Sequence, residues 1–260
     1  MPTVREIENA LYELAPGELA QSWDNVGLLV GDGRKEVHRI LVALDVTDEV
    51  VEEAEKVGAE LIAAHHPVMN CTWRPVQNLL EEDLQGGVLR RLIRGDISAV
   101  CMHTNLDAAE GGVNDTLAQR LGLEEIELLG EGEGIGRMGL LPAAMSQTDF
   151  LALVRKRLRP NGIRYVKTRK QIRRVAVGGG ACGDYFRTAV EKGCDAFVTA
   201  DVKYNQFLDA EALEFSLIDA GHFPTEDVVC SVLVRFLLER FPDLVVQKSI
   251  THREAVQYFM

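Results

Sequence analysis

Two stretches decide the reading of this chain: RILVALDVTDEVVEEAEKVGAELIAAHH (39–66) and RRVAVGGGACGDYFRTAVEKGCDAFVTAD (173–201). Each opens on a β-branched apolar run, turns, continues with a helical period that ends at EKVG or EKG, and closes on a second apolar run. That alternation is the signature of a βαβ unit in a largely parallel sheet. Aligning Gly58 with Gly193 superposes the two and sets His66 opposite Asp201. Two similar α/β halves explain the echo economically. Any two βαβ units share some pattern by chance, which is the competing explanation.

Working outward, apolar runs predict strands at 39–45, 60–65, 97–102, 173–178, 195–200 and 215–219. Helical periods predict helices near 48–57, 85–94, 111–121, 183–192, 203–213 and 224–240, the last with Pro224 near its start, where a missing N–H costs nothing. The N-terminal MPTVREIENALYELAP reads as an amphipathic helix and not as a signal peptide. LLGEGEGIGRMGLLPAAMS (128–146) reads as a linker with a small β excursion, followed by a helix capped at Ser146 or Thr148. The expected division is 1–125 for the first half, 126–170 for linker and excursion, and 171–260 for the second half, together forming one unit.

Of the 260 residues 47% are hydrophobic, enough for a sizeable core. No apolar run approaches the ~18 residues a membrane helix needs. The formal charge of −12 disfavours generic nucleic-acid binding. One segment dissents: RKRLRPNGIRYVKTRKQIRR (155–174) carries ten basic residues and no acid. It reads as a solvated face or subunit contact, or else as a landing strip for a phosphorylated ligand. Cys71, Cys101, Cys182, Cys194 and Cys230 are scattered, so neither a disulfide framework nor a zinc ribbon is expected. A reducing cytoplasm is the simplest compartment.

Chemistry gathers where predicted strands end. LIAA runs into His65-His66, SAVCM into His103-Thr104-Asn105-Leu106-Asp107, and SLIDAG into His222-Phe223-Pro224-Thr225-Glu226. Ligands of open α/β sheets bind beyond the carboxyl ends of strands, so distant loops can converge there. Alone, each histidine reads as a hydrogen-bonding or partly buried group. Four of six at strand ends, two followed four residues later by a carboxylate, favour a site for zinc, iron, manganese or nickel. Adjacent His65 and His66 on an extended end point in different directions and could serve two ions. Asp24 and Asn25 in SWDNVGLLVG form a second polar cluster, with a turn expected at Gly27 and Gly31. GGGACGDYF lacks the glycine spacing of a dinucleotide or P-loop motif. It reads as a tight turn, or as a phosphate cradle at a helix start. Cys182 as a nucleophile finds no base beside it in sequence.

Taken together, SWDNVGLLVG (22–31), ALDVT (43–47), AAHHPVM (63–69), HTNLDAAEGGVNDTLA (103–118), TADVKYNQ (199–206) and GHFPTE (221–226) resemble the GTP cyclohydrolase 1 type 2 homologues, or NIF-three-like proteins. The resemblance implies an α/β fold of two related halves with mostly parallel sheets, in the compact form without an inserted domain. It implies a toroidal homohexamer and two divalent metal ions held by His65, His66, Asp107, His222 and Glu226. His103 would then stand behind the ligands or face substrate in a catalytic role. The implied function is a dinuclear metal-dependent hydrolase acting on a small molecule such as a purine nucleotide, with GTP the first candidate. Hydrolysis of another bond, or a metal-binding scaffold, carrier or partner-binding ring without turnover, are the alternatives. Two departures, GGGACGDYF for a Gly-Ser pair and TAD (199–201) for TGE, bear on substrate and leave the metal set intact.

Overall fold

The computed structural model describes every residue except 70–74, 77, 131, 133 and 260; Cys71 lies outside the described residues. In chain order, the first segment contains α1 (Val4–Leu14), β1 (Gly27–Val30), β2 (Arg39–Ala43), α2 (Asp48–Val57), β3 (Leu61–Ala64), α3 (Leu84–Arg94), β4 (Ser98–Cys101) and the short α4 (Thr104–Ala108). The middle contains α5 (Val113–Leu121), β5 (Glu124–Leu128), β6 (Arg137–Met145), α6 (Gln147–Leu158), β7 (Arg164–Tyr165), β8 (Ile172–Val177), α7 (Phe186–Glu191), β9 (Ala196–Thr199), α8 (Tyr204–Ala212), β10 (Ser216–Asp219) and the short α9 (His222–Glu226). The last segment contains α10 (Cys230–Arg240) and β11 (Val245–Lys248).

These elements form two compact units, Met1–Ala109 with Cys230–Arg253, and Glu110–Val229 with Glu254–Met260. The division differs from one at 125 because packing overrides chain order. Leu117, Ala118 and Leu121 of α5 join the core built around Phe150, Val175 and Val198 of the second unit. Near the other end, β11 pairs in parallel with β2 and so returns the chain to the first sheet.

The first sheet has the order β1-β4-β3-β2-β11, parallel except for β1 against β4. All four residues of β3 and all four of β4 are buried, as strands covered on both faces must be. The second sheet runs β5-β6-β8-β9-β10-β7, with β8, β9 and β10 mutually parallel and the flanking pairs antiparallel. Leu41, Ile62 and Ala99 anchor the first core, and Phe197, Leu217 and Phe186 a further layer of the second.

The internal echo recurs in matching hydrogen bonds and helix ends. Glu60 accepts from the backbone N–H of His38 and Arg39 at 3.1 and 2.8 Å. At the aligned place Asp195 accepts from those of Arg173 and Arg174 at 2.9 and 2.8 Å. Gly58 and Gly193 both end their helices at positive φ, 68° and 72°, where a side chain would be strained.

Three expectations change. Gly27 opens β1 and Gly31 is the bend that follows its last residue, and each permits a close approach. A Cβ on Gly27 would lie 2.2 Å from the Tyr12 hydroxyl, and one on Gly31 2.2 Å from Ser98 Oγ. The supposed linker contains β6, a nine-residue strand placed between β5 and β8. Its Pro142 falls in the register shift between Leu140 and Met145, where no ladder N–H is required. The helix expected over 224–240 is three segments, His222–Glu226, Asp227–Val229 and Cys230–Arg240. Gly221, at φ 87°, turns the chain out of β10 two residues earlier, and Pro224 then sits in a first turn whose N–H groups have no helical acceptor. Ser146 is the cap of α6, accepting from Asp149 N–H.

Candidate metal centre

In the first unit, three imidazoles gather past the ends of β3 and β4. His65 is fully buried, and His66 keeps its backbone paired to Leu44 O at 2.9 Å, so the strand direction continues. The ring centroids of His65 and His66 lie 4.9 Å apart, and that of His103 lies 5.2 and 5.6 Å from them. Each ring is fastened through Nδ1 to an oxygen: His65 to Met102 O at 2.8 Å, His66 to Asp45 Oδ1 at 2.7 Å and His103 to Asp24 Oδ1 at 2.9 Å.

Those partners decide the tautomers. A carbonyl only accepts, so His65 carries its proton on Nδ1 and its lone pair on Nε2. Burial opposes ionisation of Asp24, but hydrogen bonds from His103 and Thr104 overcome it and hold the carboxyl well below the usual carboxylate range. Asp45 behaves likewise: burial opposes, and hydrogen bonds from His252 and His66 prevail. Both acids are therefore ionised acceptors, and His66 and His103 also present Nε2. One potential ligand atom from each of the three histidines lies within 4.8 Å of those of the other two. Asp107, buried in α4, places Oδ1 3.6 Å from His65 Nε2.

The second unit carries its own set. His222 opens α9 and reaches Asp201 Oδ2 through Nδ1 at 2.6 Å and Glu226 Oε2 through Nε2 at 2.9 Å, the latter one helical turn on. Burial works against charge on this ring, but the Glu226 and Asp201 carboxylates outweigh it and push the His222 pKa up to about 11. A proton thus sits between Nε2 and Glu226, where a cation could replace it. Asp201 adopts φ 50°, a conformation Asp tolerates better than most residues.

The glycine-rich loop is tight against this pair. A Cβ on Gly180, at φ 63°, would lie 2.0 Å from Glu226 Oε1 and 3.0 Å from His222 Nε2. The N–H of Gly179 donates to Asn114 Oδ1 at 2.9 Å and that of Gly180 to Thr225 Oγ1 at 3.0 Å. Two of the loop's N–H groups are therefore already paired within the protein, and the loop is a turn that lets backbone approach the carboxylate. Cys182 donates to Gly179 O at 3.1 Å.

The donor set fits a divalent transition metal. Imidazoles fastened through Nδ1 to a carbonyl or carboxylate are the arrangement that fixes a metal-binding histidine. Of the residues expected from sequence, His65, His66, Asp107 and His103 gather in the first unit, and His222 and Glu226 pair in the second. The anchors Asp45 and His252 are not singled out by the sequence, and Asp201 enters there only as the counterpart of His66 and as part of TAD (199–201). Asp45 lies within ALDVT, straight after a strand, and that position was the available signal. His252 Nε2 reaches Asp45 Oδ2 at 2.9 Å from a distant part of the chain, for which sequence offers none.

The fold and these ligand groups place the chain in a class of α/β proteins built from two related halves with histidine- and carboxylate-bearing strand ends. More particularly, the sequence model of the Duf34/NIF3 (NGG1p interacting factor 3) family matches residues 2–254, and the chain belongs to that family. It is 34% identical to a GTP cyclohydrolase 1 type 2 homolog of Clostridium perfringens, with 86% of each chain covered. It is 36% identical to one of Streptomyces coelicolor over 89% of this chain and 84% of the relative. A hypothetical protein of Staphylococcus aureus of solved structure is 30% identical, with TM-score 0.90 and complete coverage of both chains. A Bacillus cereus protein related to NIF3, 24% identical, shares the fold at TM-score 0.94, over 100% of this chain and 99% of that one. No helix among the described residues is long and apolar enough to cross a membrane.

Proposed function

We propose that this protein is a metal-dependent hydrolase that holds two divalent ions through His65, His66, Asp107, His222 and Glu226 and acts on a purine nucleotide. The observation that carries the reading is the trio of imidazoles fastened through Nδ1, with ligating atoms within 4.8 Å of one another. The name shared by the Clostridium and Streptomyces relatives supports the choice of a nucleotide. A bound divalent ion supplies Lewis acidity, lowering the pKa of water toward ~7.

The chain's own groups do the rest. Met102 O and Asp45 hold His65 and His66 through Nδ1, so that Nε2 is the ring nitrogen each would offer to a cation. Asp201 holds Nδ1 of His222, and His222 Nε2 with Glu226 would hold a cation in place of the proton they share. Gly180 keeps backbone close to Glu226 and limits the carboxylate's swing.

Elemental analysis of the purified protein tests the metal part: about two zinc, iron, manganese or nickel ions per chain are expected, and a ratio near zero overturns it. Incubation of metal-loaded protein with GTP tests the reaction, with formate and a ring-opened product as readouts. Turnover no greater than that of the His66→Ala, Asp107→Ala double variant removes the nucleotide assignment. Metal retained without turnover, together with transfer to an apo-protein, favours a carrier.

A further inference from the structure

We propose that His103 is a third imidazole donor of the metal centre and that Asp24 is the residue that positions it. The inference rests on the metal-binding reading above and adds a nitrogen to it.

His65, His66 and His103 are treated alike by the fold: every Nδ1 is fastened to an oxygen, and their candidate donor atoms fall within one 4.8 Å cluster. A histidine serving only as a helix cap would use its ring on the helix, yet His103, at the N-cap of α4, makes no side-chain cap hydrogen bond. Its ring turns instead toward His65 and His66, edge-on, with Trp23 edge-on at 6.1 Å.

Asp24 explains how that orientation is held. Its side chain is completely buried. Its two oxygens accept from opposite sides: Oδ1 from Asn25 N–H at 2.8 Å, and Oδ2 from Thr104 N–H at 3.0 Å and the Thr104 hydroxyl at 2.5 Å. His103 Nδ1 lies 2.9 and 3.0 Å from the two. Backbone N–H groups cannot reverse, so each oxygen must remain an acceptor. Asparagine would set its NH₂ against one of them, and only a carboxylate satisfies both. An acceptor so placed requires a donor at His103 Nδ1 and leaves Nε2 as the ring nitrogen that can face a cation. The SWDN segment is thus a clamp that reads across to β4 and sets one tautomer.

Zinc titration and cobalt(II) substitution of the full-length protein test this. Asp24→Asn is expected to weaken zinc binding ~10–100-fold, the range for loss of a group that orients a ligand. His103→Gly should weaken it at least as much and alter the visible cobalt spectrum, and added free imidazole should restore both. Wild-type affinity and spectrum in His103→Gly overturn the proposal. Should that variant fail to fold, ¹⁵N-histidine NMR of the wild type decides: a neutral ring with the proton on Nδ1 supports the proposal, and one with it on Nε2 overturns it. Glu226→Gln separates the two readings. If it loses metal while His103→Gly does not, the five-ligand centre stands and this addition falls; the reverse result spares His103 and removes the five-ligand assignment.

Discussion

Gly180→Ala isolates the geometry of the second ligand pair. The added Cβ would start 2.0 Å from Glu226 Oε1 and 2.8 Å from its Cδ. Real Cβ contacts do not fall below 3.0 Å, so the carboxylate must retreat by at least about 1 Å, twice the ~0.5 Å over which a binding constellation stays productive. The φ of 63° adds a left-handed backbone penalty of about 1–2 kcal/mol. Gly193→Ala is the control: its φ is 72°, but nothing lies within 4 Å of the new Cβ. Both variants should therefore lose similar stability, a fall in Tm of roughly 2–8 °C for a chain of this size. Only Gly180→Ala should lose metal, with zinc affinity reduced at least ~10-fold, corresponding to about 1.4 kcal/mol. Differential scanning fluorimetry on the metal-free proteins and a chelator-competition titration give the two numbers. Unchanged zinc affinity in Gly180→Ala, or an equal loss in Gly193→Ala, refutes the reasoning.

Because His222 in the metal-free protein keeps its proton up to about pH 11, zinc uptake must expel it. Apparent affinity should rise ~10-fold per pH unit for that one proton between pH 7 and 9, with matching proton release in calorimetry across buffers of different ionisation enthalpy; pH-independent binding refutes this. Glu53 is buried and accepts from Ser249 Oγ and Ile250 N–H, at 2.5 and 3.0 Å, and from Thr251 Oγ1 at 2.7 Å. Burial opposes its ionisation, yet these hydrogen bonds lower its pKa. Its contribution is therefore present above the unfolded carboxyl pKa and lost as pH falls through the folded one. Glu53→Gln should cost about 1.5–3 kcal/mol at pH 7 in urea unfolding and less at pH 3, and an equal cost at both would contradict the assignment. Burial pushes the Cys101 and Cys194 thiols up to about 12 and 11. Both should resist iodoacetamide at pH 8 in the native protein, as read by peptide mass spectrometry.

The central strands were legible because burial on both faces demands unbroken β-branched and small apolar runs; LIAA and SAVC could hardly be anything else. The candidate ligands were legible for a related reason: chemistry at the carboxyl ends of parallel strands is a property of the layout, which the strand pattern already reveals. What escaped was whatever depends on side-chain direction after folding. Asp45, Asp201 and His252 become anchors only because particular oxygens and nitrogens meet. Asp24 looked polar and purposeful, but its task depends on a histidine 79 residues away. In sequence β6 reads only as a small β excursion because Gly139 and Pro142 read as loop residues. The strand tolerates them: Gly139 faces a neighbour so close that a Cβ would lie 2.7 Å from Glu124 O.

The repeat explains why candidate ligands arise twice along one chain. Met102 N–H donates to Ala64 O past the end of β4, and Ala220 N–H donates to Thr199 O past the end of β10, both at 2.9 Å. A five-residue helix follows each, and its first turn closes in the same way, Asp107 N–H on His103 O and Thr225 N–H on Gly221 O. One backbone device is furnished with different chemistry. In the first unit the cap is an imidazole and a carboxylate follows at Asp107. In the second the cap is Gly221 at φ 87°, which moves the imidazole one place inside the helix and the carboxylate to its last residue. Histidine and acid therefore remain a turn apart in both, and in the second unit they meet, His222 Nε2 lying 2.9 Å from Glu226 Oε2. That i, i+4 spacing, kept by two helices whose other residues differ, is the one that lets two side chains share a helix face.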